Sequence, residues 1–127
     1  MKIQCVEIAE GSQQPRRYAG WLIVGKEYDV LEILIDIRLQ KTEFRVISED
    51  NQIPGVFPAK LFQIAANDLS PNWVAEVSES HVTLRPKRWS VPGFWEAYFN
   101  GDSKALSAFS EELEALARHS HSLDPSR

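Results

Sequence analysis

Glu32 and Asp36 are four residues apart in DVLEILIDI, a segment whose pattern predicts a β-strand. Side chains alternate along a strand, so both carboxylates would lie on one face, where such a pair can serve as general acid and base. Arg38 shares that face, and Arg45 belongs to the next predicted strand. A cross-strand ion pair is therefore the better interpretation of these charges.

The other residues that could support catalysis or bind metal form no recognisable motif. Cys5, the single cysteine, lies in a predicted strand, and His81 lies alone in a predicted hairpin. His119 and His121 are two residues apart in a polar segment, which makes a weak and unselective metal site. No G-x-S-x-G, P-loop or G-x-G-x-x-G motif occurs in the sequence. We therefore expect no enzymatic activity, no catalytic residue, no metal site and no cofactor.

A short basic segment, RPKRW, supplies Arg85, Lys87, Arg88 and Trp89. Such cations can pair with phosphates, and an exposed aromatic ring can stack on a base. The whole chain, however, has 18 acidic and 14 basic residues and a net charge of −4. This balance disfavours nucleic-acid binding in bulk. A basic link between sheet and helix is the simpler interpretation, and a small nucleic-acid-binding or regulatory protein is the alternative function.

Acidic residues are concentrated on two predicted strands and the turn that follows them. If the polar faces of these strands lie together, carboxylates would surround an apolar centre. An apolar centre within a charged rim is typical of protein–protein interfaces, and aromatic residues of the long first loop would add anchors. An ordinary solvated sheet face is the competing interpretation. The predicted partner-binding residues are Tyr18, Trp21, Glu32, Leu34, Asp36, Glu49 and Asp50.

The elements that would position these residues are mostly strands. Residues 1–86 contain five to seven short strand patterns, one long early loop and several tight turns, which favours a small SH3-like antiparallel β-barrel. An OB-like barrel or an open α+β sheet fits the same pattern. Period-two alternation predicts one buried and one solvated face for the strongest strands. The residues predicted to face the core are Leu31, Ile33, Ile35, Ile37, Phe44 and Val46.

Two helices are predicted over residues 90–118, packed on the barrel to give an α+β domain. Ser90 is placed to cap the first helix, and Asn100 with Gly101 would end it. The second helix has an apolar stripe, with three glutamates facing outward. We expect a single domain over residues 1–118 and a flexible tail over 119–127. The stripe is Leu106, Phe109, Leu113 and Leu116, and the glutamates are Glu111, Glu112 and Glu114.

Four aromatic residues occur within six positions of the first helix. Phe94, Trp95, Tyr98 and Phe99 would form one wide band on its surface. Burial of each ring would stabilise the fold by about 1.5–3 kcal/mol, so we expect them mainly to plug the core. Trp95 or Tyr98 would be the ring left exposed to a partner.

The sequence also favours a cytoplasmic protein. The N-terminal segment lacks a secretory-signal pattern, because its apolar stretch is short and interrupted by polar residues. The longest apolar-rich run, DVLEILIDI, carries three acids and would not cross a bilayer. One cysteine allows no disulfide within the chain.

Four segments resemble a largely uncharacterised family of small bacterial proteins with SH3-like barrels. These segments are GKEYDVLEI, FRVISEDNQIPGVFPAKLFQI, NWVAEV and PGFWEAYFNGD, and the resemblance covers about residues 20 to 118. Some members resemble immunity proteins of polymorphic-toxin and contact-dependent inhibition systems, which bind and neutralise a toxin domain. The resemblance implies structural roles for Gly25, Tyr28, Asp50, Trp95 and Phe99 and carries over no catalytic residue. We therefore expect an immunity protein that occludes the active site of a cognate, basic toxin domain.

Overall fold

The computed structural model describes residues 1–6, 20–50 and 52–122. Tyr18, predicted as an aromatic anchor, lies outside these residues. The fold is α+β, with antiparallel strands followed by two helices. The described elements are β1 (Lys2–Cys5), β2 (Glu27–Asp29), β3 (Glu32–Asp36), β4 (Lys41–Ile47), β5 (Pro54–Pro58), a 3-10 turn (Ala59–Leu61), β6 (Phe62–Ala66), β7 (Trp73–Val77), β8 (His81–Pro86), a second 3-10 turn (Lys87–Trp89), α1 (Phe94–Phe99) and α2 (Ser103–Ser122).

The chain divides into two compact units. The first contains Met1–Leu69 and Ala75–Leu84, and the second contains Ser70–Val74 and the chain from Arg85 onward. None of the helices in the described part of the chain is both long and apolar enough to cross a membrane.

Two antiparallel sheets carry the strands. One has the order β2-β1-β6, and the other has the order β5-β4-β3-β8-β7. Two residues, Val30 and Leu31, separate β2 from β3, and their amides bond to different sheets. Val30 N donates to Met1 O beside β1 (3.0 Å), and Leu31 N donates to Arg45 O of β4 (2.8 Å). The junction between β2 and β3 therefore links the two sheets.

The alternating strand pattern predicts most of the buried apolar face around β3 and β4 correctly. Leu31, Ile33, Phe44 and Val46 are all buried, as expected for residues on one face of β3 and β4. Ile37 is half exposed, so its prediction as a core residue is wrong. It lies beyond the end of β3, in the turn to β4, where the alternation of a strand no longer applies.

The first predicted helix is present but begins later than expected. The residue before α1 is Gly93, whose φ of 75° lies in the left-handed region that favours glycine. Ser90 does not cap the helix, because its hydroxyl donates to Lys87 O (2.6 Å). At the other end, Gly101 N donates to Tyr98 O (3.0 Å), and Gly101 has a φ of 80°. Asn-Gly therefore ends the helix as predicted.

The buried stripe of α2 is rotated relative to the prediction. Ala105, Phe109, Glu112 and Leu116 are buried, whereas Leu106 is exposed. The outward placement of Glu112 is therefore wrong. Asp102 caps the helix, since its Oδ2 accepts from Ala105 N (3.0 Å), and α2 extends to Ser122, beyond the predicted end at Arg118. Residues 123–127 of the predicted tail lie outside the described residues.

Candidate protein-binding surface

The charged face predicted for β3 is partly buried. Glu32 is 0 % exposed, so the expectation that it lies on a solvated face is wrong. Arg45 lies opposite it on β4, with Nε 2.9 Å from Glu32 Oε1, and Arg45 Nη1 also donates to Pro54 O (3.3 Å). A paired and hydrogen-bonded charge can be buried where an isolated charge cannot. This contact confirms the cross-strand ion pair that the sequence predicts. Because Glu32 is buried in it, Glu32 is not available to bind a partner.

The other two predicted residues of β3 lie among both signs of charge. Leu34 is half-buried between Glu43 and Thr83 on the neighbouring strands. Asp36 lies opposite Lys41 and His81. The face around Leu34 therefore carries cations as well as carboxylates, and it is not a uniformly acidic patch.

The Asp36 carboxylate is already engaged within the protein. Its Oδ1 accepts from Leu39 N (2.9 Å), and its Oδ2 lies 3.3 Å from His81 Nε2. The backbone hydrogen bond and the nearby imidazole lower the pKa of Asp36 below its ordinary value. Asp36 therefore holds the turn after β3 in place.

Three of the predicted partner-binding residues do come together. Glu49 N donates to Trp21 O (2.8 Å), so the loop that contains Trp21 runs beside the turn that contains Glu49 and Asp50. The indole of Trp21 packs edge-on against Phe57 of β5, with ring centroids 6.3 Å apart, yet Trp21 remains 39 % exposed. Packing on one side holds the ring, and exposure on the other leaves it accessible.

Trp21 belongs to a group of exposed apolar residues, here called the loop surface. It consists of Trp21, Ile23, Val24 and Ile53, all at least 39 % exposed. Ser48 N donates to Ile53 O (2.9 Å), and the next residue, Glu49, donates to Trp21 O. These two consecutive bonds place Ile53 and Trp21 on neighbouring segments of chain. Asp50 and Glu27 are exposed carboxylates in the same two segments.

A polar group beneath the loop surface, here called the Glu49 cluster, fixes its conformation. It comprises Lys26, Tyr28 and Glu49. Lys26 Nζ lies 2.9 and 2.7 Å from the two Glu49 carboxylate oxygens and 5.4 Å from the centroid of the Tyr28 ring. The Tyr28 hydroxyl accepts from Ile23 N (2.9 Å). The cluster therefore joins residues 23 and 26 of the loop to the turn after β4.

The ionisation of this cluster follows from its contacts. The hydrogen bond from Lys26 lowers the pKa of Glu49, so its carboxylate stays charged. Burial raises the pKa of Tyr28 to about 12, and the neighbouring Glu49 charge adds to this effect. Tyr28 is consequently a neutral hydrogen-bonding group at physiological pH. The sequence signal for this site is WLIV, an apolar run between Gly20 and Gly25.

The basic segment does not form the stacking platform that nucleic-acid binding would need. Trp89 is 0 % exposed, and its Nε1 donates to Ala108 O (3.2 Å). Its ring stacks between Phe94 and Phe109 at an interplanar angle of 18° with each. Arg88 forms an ion pair with Glu111. The prediction that Trp89 could stack on a base is therefore wrong, because its ring belongs to the core of the second unit.

The aromatic residues of α1 are mainly structural, as expected. Phe94 is buried, and Trp95 and Tyr98 are half-buried, with rings 5.8 Å apart. The ring left most exposed is Phe99, at 53 %, rather than Trp95 or Tyr98.

No set of three histidine, cysteine, aspartate or glutamate residues that could hold a metal ion occurs within the described residues. Cys5 is buried in β1, and His119 lies in α2. Asp124, which could have joined the histidines, lies outside the described residues.

Comparisons with family models, curated proteins and solved structures found no match to this chain.

Proposed function

We propose that this chain is a cytoplasmic protein-binding module, specifically an immunity protein that neutralises a bacterial toxin domain by covering its active site. The observation that carries the proposal is the loop surface, in which Trp21 is exposed beside Ile23, Val24 and Ile53. Solvated apolar side chains that are grouped together mark interaction sites more often than scattered ones do. Binding, rather than catalysis, is the role that such a surface supports.

Trp21 has the properties of an interface anchor. Tryptophan is enriched among residues that dominate binding energy, because it buries a large rigid area at a small entropic cost. Phe57 supports one edge of the Trp21 ring, and the Glu49 cluster holds the chain that follows Trp21. A partner would therefore meet a preformed surface, which lowers the cost of association.

The charge around the loop surface favours a basic partner. Asp50 and Glu27 are exposed, whereas Lys26 is occupied by Glu49. The net charge of −4 adds a long-range attraction for positively charged proteins. Toxins that act on nucleic acids carry positive clefts for phosphates, so an acidic inhibitor suits them by steering association and occupying the cleft. Glu32 is left out of the proposed interface because it is buried, and Leu34 and Asp36 lie on β3 outside the loop surface.

We further propose that the two sheets of the first unit form a small SH3-like barrel. Three observations support this arrangement: the long segment between β1 and β2, the junction of β2 and β3 that bonds to both sheets, and the 3-10 turn directly before β6. β6, which follows this turn, then pairs antiparallel with β1, the first strand of the chain. The barrel would present the loop surface on a rigid scaffold.

The test is capture of the partner from an extract of the native host at low and moderate salt, with mass spectrometry and nucleic-acid staining of the eluate. We expect one basic toxin domain, retained by the unchanged protein and by Leu39→Ala and lost with Trp21→Ala. Leu39 is a matched control, because it is an apolar residue 70 % exposed at the turn after β3. Recovery of nucleic acid alone would overturn the proposal and favour the alternative through Arg85, Lys87 and Arg88.

A further inference from the structure

The second unit buries a carboxylate on the inner face of α2. Glu112 is 2 % exposed and occupies the same buried stripe as Phe109 and Leu116. A charged carboxylate loses its hydration when buried, and this cost favours the neutral form unless a cation compensates. The position is therefore unusual for a glutamate, because the other buried residues of α2 up to residue 119 are apolar.

The partners of Glu112 are neutral. Asn72 Nδ2 donates to Glu112 Oε1, and Ser70 Oγ donates to Asn72 Oδ1 (2.7 Å). The backbone of the same segment is held as well, because Lys87 N donates to Asn72 O (2.9 Å). Glu112 thus ends a chain of hydrogen bonds that fastens α2 to residues 70–74, and no charge in that segment neutralises it.

Arg88, whose charge acts on Glu112, is engaged elsewhere. Arg88 pairs with Glu111, the residue before Glu112. The second 3-10 turn and α1 both pack against α2, and they contribute the titratable or charged groups Lys87, Arg88, Glu96 and Tyr98. Lys87 and Glu96 are exposed, and the Tyr98 ring lies against Phe109 with centroids 4.7 Å apart. The charge of Arg88 favours the ionised carboxylate of Glu112, and burial outweighs it.

We propose that Glu112 is a proton-responsive latch, which holds α2 against residues 70–74 more firmly when its carboxyl group is protonated. Burial raises the pKa of Glu112 above its ordinary value of 4.5, and Arg88 opposes this shift only in part. The folded state then binds a proton more tightly than the unfolded state, so the latch is firmest at low pH. The stabilisation by the latch is lost as the pH rises from 4.5, the ordinary pKa of a glutamate, through the raised pKa of Glu112. The inference concerns the second unit and does not depend on the proposed function.

Hydrogen exchange of the full-length protein tests the latch. We expect Glu112→Gln, which mimics the neutral carboxyl, to raise the protection of α2 amides several-fold at about pH 7, because the native side chain is charged there. The two proteins should converge at about pH 4, where the native carboxyl is protonated. Glu114→Gln is the control, because Glu114 is an exposed carboxylate two residues along the same helix. Lower protection in Glu112→Gln than in the native protein at neutral pH would overturn the proposal.

A second measurement needs no variant and stays informative if Glu112→Gln does not fold. The carboxyl carbon of each glutamate can be followed by NMR while the pH is varied. We expect Glu112 to titrate above 4.5, the ordinary pKa of a glutamate, in the native protein. A Glu112 midpoint at or below 4.5 would overturn the latch.

Discussion

Arg45 Nε lies 2.9 Å from Glu32 Oε1 across β3 and β4, and Glu32 has no exposed area. The two residues are directly opposite in the strand register, so the contact is built into the pairing of the strands. With the Arg45 side chain only 12 % exposed, solvent screens the pair weakly. Glu32, a prominent charge of the segment DVLEILIDI, therefore stabilises the fold and is not part of a binding surface.

Removal of Arg45 should destabilise the protein strongly. Arg45→Ala would leave the Glu32 carboxylate buried without its cation, and breaking a buried pair in this way costs about 3–5 kcal/mol. Urea denaturation of both proteins at neutral pH measures this difference. Lys41→Ala is the matched control, since Lys41 forms an exposed pair with Glu43 (3.5 Å) and its loss should cost less than about 1 kcal/mol. Equal losses in the two variants would contradict the structural role of Arg45.

Tyr28 should ionise only at strongly alkaline pH. Its raised pKa, about 12, follows from burial and from the Glu49 carboxylate. Because the folded-state pKa lies above the ordinary value of 10.0, the stabilisation is present below that pH and is lost as the pH rises through about 12. Ultraviolet titration should show a late phenolate transition that is absent in Tyr28→Phe. A Tyr28→Phe curve with the same late transition would contradict this assignment.

The ion pair between Lys26 and Glu49 should make the loop conformation sensitive to acid. The pKa of Glu49 is lowered by Lys26, so the pair stabilises the fold above the ordinary value of 4.5 and is lost as the pH falls through the lowered pKa. Glu49→Gln should speed exchange of the Ile23 amide, which depends on Tyr28 of the same cluster. Asp50→Asn is the control, because Asp50 is exposed beside Glu49, and it should leave that exchange rate unchanged.

Trp89 should contribute far more to stability than Phe99, although both are aromatic residues of the second unit. Trp89→Ala removes a fully buried ring stacked on Phe94 and Phe109, which costs about 3–5 kcal/mol. Phe99→Ala removes a ring that is 53 % exposed and should cost less than half as much. Thermal unfolding of the two variants distinguishes them. A larger effect at Phe99 would place the core of this unit elsewhere.

The sequence predicts the strands and their apolar faces better than it predicts which polar side chains are buried. Alternation along β3 and β4 identified Phe44 and Val46 correctly, because the pleat alone decides which side a residue is on. Alternation does not determine whether the opposite side is open to water. Alternation therefore predicts a solvated Glu32, whereas its pairing with Arg45 allows it to be buried.

The helices show the same limit. A stripe drawn through the leucines of α2 selects Leu106 and Leu113, whereas the protein buries Ala105 and Glu112. The two stripes differ by one residue, and only packing against a neighbour selects between them. The loop surface was missed for a related reason: Ile23 and Val24 have strand-forming side chains, but Gly25, with a φ of 92°, turns the chain there.

The central claim is that Trp21 anchors a basic protein partner at the loop surface. Isothermal titration of the captured partner with the native protein, Trp21→Ala and Leu39→Ala tests this most directly, since both variants shorten an exposed apolar side chain. We expect Trp21→Ala to weaken binding by at least about thirtyfold, the effect of losing a dominant anchor of about 2 kcal/mol, and Leu39→Ala to bind as the native protein does. Unchanged affinity in Trp21→Ala, with its fold intact, would contradict the account.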